Sequence, residues 1–302
     1  MNNIIATSHL SKSFKAKQAV TDVSLAVNEG DIYGLIGENG AGKTTFMRML
    51  CGLASPTSGT ISLFGSPDLE RGRRMMGCTI ESPALYPLLS GRENLEVYRL
   101  LFGIRDKTLP DTLLSLVGLG SDEKKKAKDY SLGMKQRLMI AIALIGDPKL
   151  LILDEPMNGL DPLGIKEIRD LLLYLNKEKK ITIVISSHIL EELSKIATCY
   201  GVIQQGKLIE EFAAAELEKS GRKFLEISVD DTNAALDLLK RNGFSGGDVV
   251  GGDNHIELAG HFDEGAEIID LLVRKGIRVN YLARKEDSLE GYFMNLIGGN
   301  KQ

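Results

Sequence analysis

The sequence has only three cysteines in 302 residues, and they stand at Cys51, Cys78 and Cys199. Their number is odd and their spacing is wide, so they fit neither a metal-binding motif nor a disulfide framework. These features argue against a disulfide-stabilised secreted protein. We therefore expect the chain to work in a reducing cytoplasm.

The sequence also lacks a long hydrophobic run. Its longest apolar stretch, Leu138–Ile145, is far shorter than the roughly 20 residues that a helix needs to cross a bilayer. The opening MNNIIATSHLSKSF is too polar for a secretion signal. We therefore expect any membrane role to depend on a separate partner protein.

Basic charge is not in excess either. Lysine and arginine number 37 against 41 aspartates and glutamates, which gives a net charge of -4. Proteins that bind nucleic acid usually concentrate basic residues on one face. We therefore expect no nucleic-acid partner for this chain.

The spacing of apolar residues predicts an α/β core and a second, smaller domain. Continuous apolar runs at IYGLIG, KLLILDEP and KKITIVISSH predict strands buried on both faces of a parallel sheet, and SPTSGTISLFGSP predicts a turn and a strand pair. Helical spacing from Gly91 to Leu144 predicts a helical insertion at about residues 90–146. The order β-α-ββ-α-β-α at the end of the chain predicts two domains, 1–220 and a small α+β domain at 221–302.

The segment GENGAGKT, Gly37–Thr44, matches the phosphate-loop pattern G-x-x-x-x-G-K-[ST] between a predicted strand and a predicted helix. Glycines let successive backbone N–H groups converge on phosphate oxygens, and the positive end of the following helix points to the same place. Lys43 would reach the β- and γ-phosphates of ATP, and the Thr44 hydroxyl would bind Mg²⁺. The predicted nucleotide-binding residues here are Gly37, Glu38, Asn39, Gly40, Ala41, Gly42, Lys43, Thr44 and Thr45. The alternative is a chance glycine turn before a helix.

LLILDEP ends a predicted buried strand on two carboxylates, Asp154 and Glu155. Ligands bind at the carboxyl ends of strands in open α/β sheets. Asp154 is therefore a candidate Mg²⁺ ligand, and Glu155 is a candidate catalytic base that polarises the attacking water. Two adjacent carboxylates are costly to bury unless a cation compensates their charge. The alternative is a strand that ends in a solvated acidic turn.

VISSH ends another predicted strand on His188. If this strand runs parallel to the strand of Asp154, the imidazole can touch the γ-phosphate and sense its presence, which makes His188 a candidate catalytic residue. The alternative is a histidine with an ordinary hydrogen bond in a loop.

A second candidate anion site lies in DYSLGMKQRL, residues 129–138, where Ser131 and Gly133 open a predicted helix. The order of phosphate loop, this segment, LLILDEP, NGLD and SSH resembles the ATP-binding cassette (ABC) ATPases, the nucleotide-binding subunits of ABC transporters. The resemblance covers about residues 1–220. It implies a P-loop NTPase core of the ABC type with an inserted helical subdomain, ATP hydrolysis, and Mg²⁺ as the metal.

The resemblance further implies that two copies pair head to tail. Each ATP would lie between the phosphate loop of one copy and the segment around Ser131 and Gly133 of the other. The family pattern LSGGQ is altered here, because Tyr130 replaces the leucine, Leu132 a glycine and Met134 the glutamine. We therefore expect this segment to bind the other copy's ATP, but with altered strength. The alternative is a plain N-capped helix.

Three other residues take expected roles from the same resemblance. Phe14 would stack on adenine, and its alternative is a core aromatic. Asp161, in the NGLD loop, would link the two sites across the dimer, and its alternative is a simple turn and helix start. Glu81 stands where the family usually has a glutamine that contacts Mg²⁺ and the attacking water, in a loop that meets the membrane subunit. Its alternative is a surface loop residue.

Within the family, IESPALYPLLSGRENL and SLGMKQRL resemble the bacitracin-resistance and lantibiotic-immunity exporters. The chain would then drive a separate integral membrane permease from the inner face of the cell membrane and export peptide antibiotics or other hydrophobic or amphipathic compounds. One rival is a soluble ABC protein that acts on ribosomes or DNA, which would usually carry two cassettes or long coiled coils. The other is a regulatory module without turnover. The intact Lys43, Thr44, Asp154, Glu155 and His188 argue against it.

Overall fold

The computed structural model describes residues 3–15, 17–80, 85–122, 125–216, 223–244, 247–249, 255–286 and 289–298. The chain folds as two compact units, Met1–Ala215 and Glu216–Gln302. In the described residues, no helix combines the length and the apolar character that crossing a membrane requires.

The first unit begins with an antiparallel sheet of four strands. They are β1 (Asn3–Phe14), β2 (Lys17–Val23), β3 (Ala26–Asn28) and β5 (Ser58–Leu63). β1 pairs with each of the other three. The strand pair predicted from SPTSGTISLFGSP is reduced to a single antiparallel bridge between Leu63 and Ser66. The segment forms one strand, β5, which pairs along its length with β1, far earlier in the chain. Local apolar content identifies a strand but does not identify its partner.

The second sheet is parallel except for one edge strand. Its strands are β4 (Ile32–Ile36), β6 (Met76–Thr79), β7 (Leu150–Asp154), β8 (Thr182–Ser187), β9 (Cys199–Gln204) and β10 (Lys207–Ala213). They lie in the order β10-β9-β4-β8-β7-β6, and β10 runs antiparallel to β9. β4, β7 and β8 are buried along almost their whole length, which confirms the prediction from their continuous apolar runs.

Seven described α-helices accompany these sheets. They are α1 (Lys43–Leu50), α2 (Leu69–Arg73), α3 (Gly91–Leu101), α4 (Leu109–Leu116), α5 (Leu132–Ala143), α6 (Pro162–Lys177) and α7 (Leu190–Ser194). The helices α3, α4 and α5 lie between β6 and β7 in the chain, where helical spacing of apolar residues predicts them. α3 begins with a capping box in which the side chains of Ser90 and Glu93 each accept a hydrogen bond from the other's backbone N–H.

The main core surrounds α1. Phe46 and Leu50 of this helix belong to the same buried cluster as Leu10 of β1 and Leu35 and Ile152 of the parallel sheet. A helix that is packed on both sheets cannot shift without opening this core. The loop before α1 is therefore held at a fixed place relative to the strand ends.

The end of α1 is fixed by polar contacts. Arg73 donates hydrogen bonds to the carbonyls of Met49 and Leu50. Cys51, the next residue, donates a thiol hydrogen bond to the sulfur of Cys78 in β6, and this bond lowers the pKa of Cys78 to about 7. All three cysteines are free thiols.

The second unit has an antiparallel sheet and three described helices. Its strands are β11 (Lys223–Val229), β12 (Gly247–Val249), β13 (His255–Ala259) and β14 (Val279–Glu286), in the order β12-β13-β11-β14. Its helices are α8 (Thr232–Arg241), α9 (Gly265–Arg274) and α10 (Leu289–Gly298). Leu225 and Ile227 of β11 pack with Leu239 of α8 and Leu272 of α9. This arrangement confirms the predicted α+β character of the region.

Candidate functional site

The phosphate loop connects β4 to α1 and has a shape that depends on its glycines. Gly42 has φ 111°, a conformation that L side chains rarely adopt. A Cβ on Gly42 would lie 2.5 Å from the Ala19 carbonyl oxygen, and one on Gly37 would lie 2.3 Å from that of Ile203. Larger residues at both positions would therefore push the loop away from the sheet. The glycines bring the backbone N–H groups and the N-terminus of α1 to one place.

Lys43 is the first residue of α1, and only 5% of its surface is exposed. Its ammonium donates hydrogen bonds to the carbonyls of Gly37 at 2.6 Å and Glu38 at 3.2 Å. It also lies 3.6 Å from a carboxylate oxygen of Glu155. A buried ammonium needs such partners. The loop thus holds a fixed positive charge beside the positive end of a helix.

The carboxyl ends of β7 and β8 lie beside the phosphate loop and place acidic side chains next to it. Thr44 donates its hydroxyl hydrogen to Oδ2 of Asp154 at 2.8 Å, and Ser186 donates to Oδ1 of the same carboxylate at 2.6 Å. The backbone N–H of Glu155 donates to the Ser186 hydroxyl at 2.9 Å. Ser186 therefore connects both carboxylate-bearing residues to β8.

Glu155 stands between a histidine and a lysine. One of its oxygens is 2.7 Å from Nδ1 of His188, and the other is the oxygen that faces Lys43. Glu155 has φ 50°, which costs an L residue about 1–2 kcal/mol. The first four residues of β7, Leu150–Leu153, are buried and contribute roughly 1.5–3 kcal/mol each. The packing of the strand is therefore strong enough to hold the carboxylate in this strained position.

Lys43, Thr44 and Glu155 line one cavity of about 310 Å³. Asp154 and His188 do not line it, but they bond to Thr44 and Glu155, which do. Its lining residues are Phe14, Lys17, Ala19, Asn39, Gly40, Gly42, Lys43, Thr44, Thr45 and Glu155. Phe14 is 47% exposed, so it is not a core aromatic, and the Lys12 ammonium lies 4.9 Å from its ring centre. An exposed ring at one end and a phosphate loop at the other suit a nucleotide, which has an aromatic base and a charged tail.

Asp154 and Thr44 fit a magnesium ion. A carboxylate and a hydroxyl side by side are the hard oxygen ligands that Mg²⁺ prefers, and the ion usually keeps several waters and phosphate oxygens. Among the described residues, no group of three or more His, Cys, Asp and Glu side chains is arranged to hold a metal. Phosphate oxygens and water would therefore complete the coordination. Glu81, the other predicted metal ligand, lies outside the described residues.

A second cleft, of about 390 Å³, lies between two helix N-termini. Ser131 caps α5 by accepting a hydrogen bond from the Met134 N–H, and Asp161 caps α6 by accepting one from the Gly164 N–H. Gly133, in the first turn of α5, also lines this cleft. The cleft thus contains the three residues that the sequence assigns to contacts between two copies.

Half of the fourteen predicted nucleotide-binding residues line the first cavity, namely Phe14, Asn39, Gly40, Gly42, Lys43, Thr44 and Thr45. Gly37, Glu38 and Ala41 shape the phosphate loop without lining the cavity, and Ser131, Gly133 and Asp161 line the second cleft. Sequence reasoning missed Ser186. A small polar residue at the end of an apolar strand, in VISSH, is the signal that could have identified it.

Replacing Ser186 with alanine is expected to lower ATP turnover by about tenfold and the free energy of unfolding by about 1–3 kcal/mol, because the half-buried Asp154 carboxylate loses a donor and the Glu155 backbone N–H loses its acceptor. Steady-state ATPase assays and urea unfolding would measure both effects. Ser187→Ala is the matched control, since the Ser187 hydroxyl contacts only its own turn at Ile189 among its hydrogen-bond partners in the described residues. Equal activity of the two variants would contradict the role of Ser186 as an anchor of the site.

The strand, glycine loop, buried lysine and strand-end carboxylates define a P-loop NTPase. The family model for ABC transporters matches residues 20–158 of the chain. The bacitracin transport ATP-binding protein BcrA of Bacillus licheniformis is 44% identical over 302 residues, which cover 99% of each chain. The lantibiotic transport ATP-binding protein SrtF of Streptococcus pyogenes is 47% identical over 203 residues, which cover 67% of this chain and 88% of that protein.

A solved structure agrees with these sequence matches. The dimeric, post-hydrolysis ATP-binding cassette MJ0796, bound to ADP and Pi, is similar with a TM-score of 0.63 and 25% identity, over 70% of this chain and 98% of that one. The chain therefore belongs to the ABC transporter family. It is the ATP-binding subunit of an ABC transporter, and it is an ATPase.

Proposed function

We propose that two copies of the chain pair head to tail, with each ATP between the phosphate loop of one copy and the start of α5 in the other. The observation that carries this proposal is the separation of the two anion sites, since the nucleotide cavity and the second cleft share no lining residue. Ser131 and Gly133 do not line the cavity of their own chain. A second copy is therefore the source of the nucleotide that they would bind. The dimeric state of the MJ0796 cassette is a further support.

In this proposal the residues of the cavity and of the neighbouring strand ends divide the work of binding and hydrolysis. Lys43 binds the β- and γ-phosphates, and Phe14 stacks on the adenine. Thr44 and Asp154 would hold Mg²⁺, which would neutralise the charge on the phosphates. Glu155 accepts the proton of the attacking water, because its carboxylate is fixed between two donors and faces the loop. His188 orients that carboxylate and contacts the γ-phosphate.

We further propose that closure of the dimer drives a separate membrane permease from the cytoplasmic side of the membrane. Residues 1–220 would form the nucleotide-binding domain, with its helical subdomain at about 90–146, and residues 221–302 an accessory domain. The similarity to BcrA and SrtF supports peptide antibiotics as the cargo and export as the direction of transport. Stimulation of ATPase activity by bacitracin or a lantibiotic, in vesicles that contain the chain and its permease, would test it. Activity that stays unchanged with both peptides would contradict this cargo.

Replacing Ser131 with arginine is expected to abolish ATP-driven dimerisation while ATP binding to the monomer stays intact, because the bulky cation blocks a surface that only the partner's nucleotide uses. Binding of a fluorescent ATP analogue at low protein concentration and sedimentation in the Glu155→Gln background would measure the two properties. Ser115→Arg is the matched control, since Ser115 is an exposed serine of α4. Loss of ATP binding in the monomer, or an unaffected dimer, would contradict action in trans.

A further inference from the structure

Arg137 occupies an unusual position in α5. Its side chain is only 15% exposed, and its guanidinium reaches two other helices. One terminal nitrogen, Nη1, donates to the carbonyls of Val117 at 3.3 Å and Gly118 at 3.4 Å, just after the end of α4. The other, Nη2, lies 3.4 Å from Oε2 of Glu167 in α6. One planar group thus joins α4, α5 and α6.

The ion pair joins α5 and α6, the two helices whose N-termini form the second cleft, at matching distances from their caps. Arg137 follows the cap residue Ser131 by six positions, and Glu167 follows the cap residue Asp161 by six positions. Both side chains of the pair also line the cleft. A contact less than two helical turns from both N-termini restrains their separation and their mutual angle.

The guanidinium of Arg137 does not use all of its hydrogen-bond donors, and the contacts that it makes join separate helices. Nε is buried and has no hydrogen-bond partner among the described residues, and leaving a buried donor unpaired costs free energy. The three contacts that do form are longer than the usual 2.9–3.0 Å. A planar fork can meet the carbonyls of α4 and the carboxylate of α6 at the same time, whereas the single ammonium of lysine cannot.

We propose that Arg137 is a positioning residue, which through its contacts with α4 and Glu167 holds the N-termini of α5 and α6 in the arrangement that grips a partner copy's nucleotide. The inference rests on the proposed head-to-tail dimer, and it assigns the precision of that grip to a residue whose guanidinium contacts Glu167 of α6 and the carbonyls that follow α4. Its loss should weaken the closed dimer and leave the nucleotide cavity of the monomer unchanged.

The experiment compares Arg137→Met and Arg137→Lys with the matched control Arg92→Met. Arg92 also joins two helices, through an ion pair with Asp111 on α4, but it is not a lining residue of the cleft. In the Glu155→Gln background, Arg137→Met should raise the dissociation constant of the ATP-bound dimer at least about tenfold. In the wild-type background it should lower kcat while KM and monomer binding of a fluorescent ATP analogue stay within about twofold. Arg137→Lys should fall between Arg137→Met and wild type.

Three results would overturn the inference. The first is an unchanged dimer in Arg137→Met, the second is an equal loss in Arg92→Met, and the third is a loss of ATP binding in the monomer. If Arg137→Met does not fold, Glu167→Gln tests the same ion pair from α6, and an unchanged dimer there has the same meaning. The Ser131→Arg variant distinguishes a failure of the role of Arg137 from a failure of the proposed dimer. If it abolishes the dimer and Arg137→Met does not, only the role of Arg137 fails, whereas a normal dimer in Ser131→Arg removes the proposed dimer itself.

Discussion

The Glu155→Gln variant is expected to hydrolyse ATP about 10²–10⁴-fold more slowly than wild type, because an amide cannot accept the proton of the attacking water. Glutamine has nearly the same size and can keep a contact with His188, so ATP binding should be retained. The ATP-bound dimer should then accumulate, since its reopening depends on hydrolysis. Rapid-mixing ATPase assays and size-exclusion chromatography with ATP would measure the two effects.

The control for this variant is Glu178→Gln, which removes a carboxylate from the exposed end of α6. Its turnover should equal that of wild type. A Glu155→Gln variant with normal turnover would remove Glu155 from the role of base. A variant that neither binds nor hydrolyses ATP would instead show that the Glu155 carboxylate is needed to form the cavity.

The Lys43→Met variant is expected to lose about 10²–10³-fold in turnover. The ammonium is buried at the phosphate loop and is fixed by two carbonyls, so it meets the transferred phosphate with little reorganisation. Methionine fills similar space without the charge, and the fold should be retained. Calorimetric titration with ATP and circular dichroism would separate lost binding from lost folding.

Arg48→Met serves as the matched control for Lys43→Met, because it removes a positive charge from the last turn of the same helix. Its ATP affinity should stay close to wild type. If the affinity for ATP falls by the same factor in both variants, the effect of Lys43 reflects the net charge of α1 and not a contact with phosphate.

Short elements were the hardest to predict from the sequence. α2 and α7 have five residues each and β6 has four, too few to repeat an apolar spacing. The longer stretch that contains α3, α4 and α5 repeats its apolar spacing several times, and β8 is a continuous apolar run. The predicted positions of both agree with the structure.

The place of the phosphate loop between a strand and a helix could be predicted because the signal is local. The glycines, the lysine and the helix start are consecutive residues, so their spacing alone states which backbone groups converge. The sequence by itself also determined the two strand-end carboxylates, since a buried parallel strand must end at the edge where ligands bind.

Only the tertiary structure decided which of these residues meet. Thr44 contacts Asp154 across 110 positions of the chain, and Ser186 reaches Asp154 across 32. The same holds for the bond from Arg137 to Glu167 and for the separation of Ser131 from the phosphate loop. Contacts of this kind depend on strand order and helix packing, which arise when the whole core closes, and no local pattern of residues encodes them.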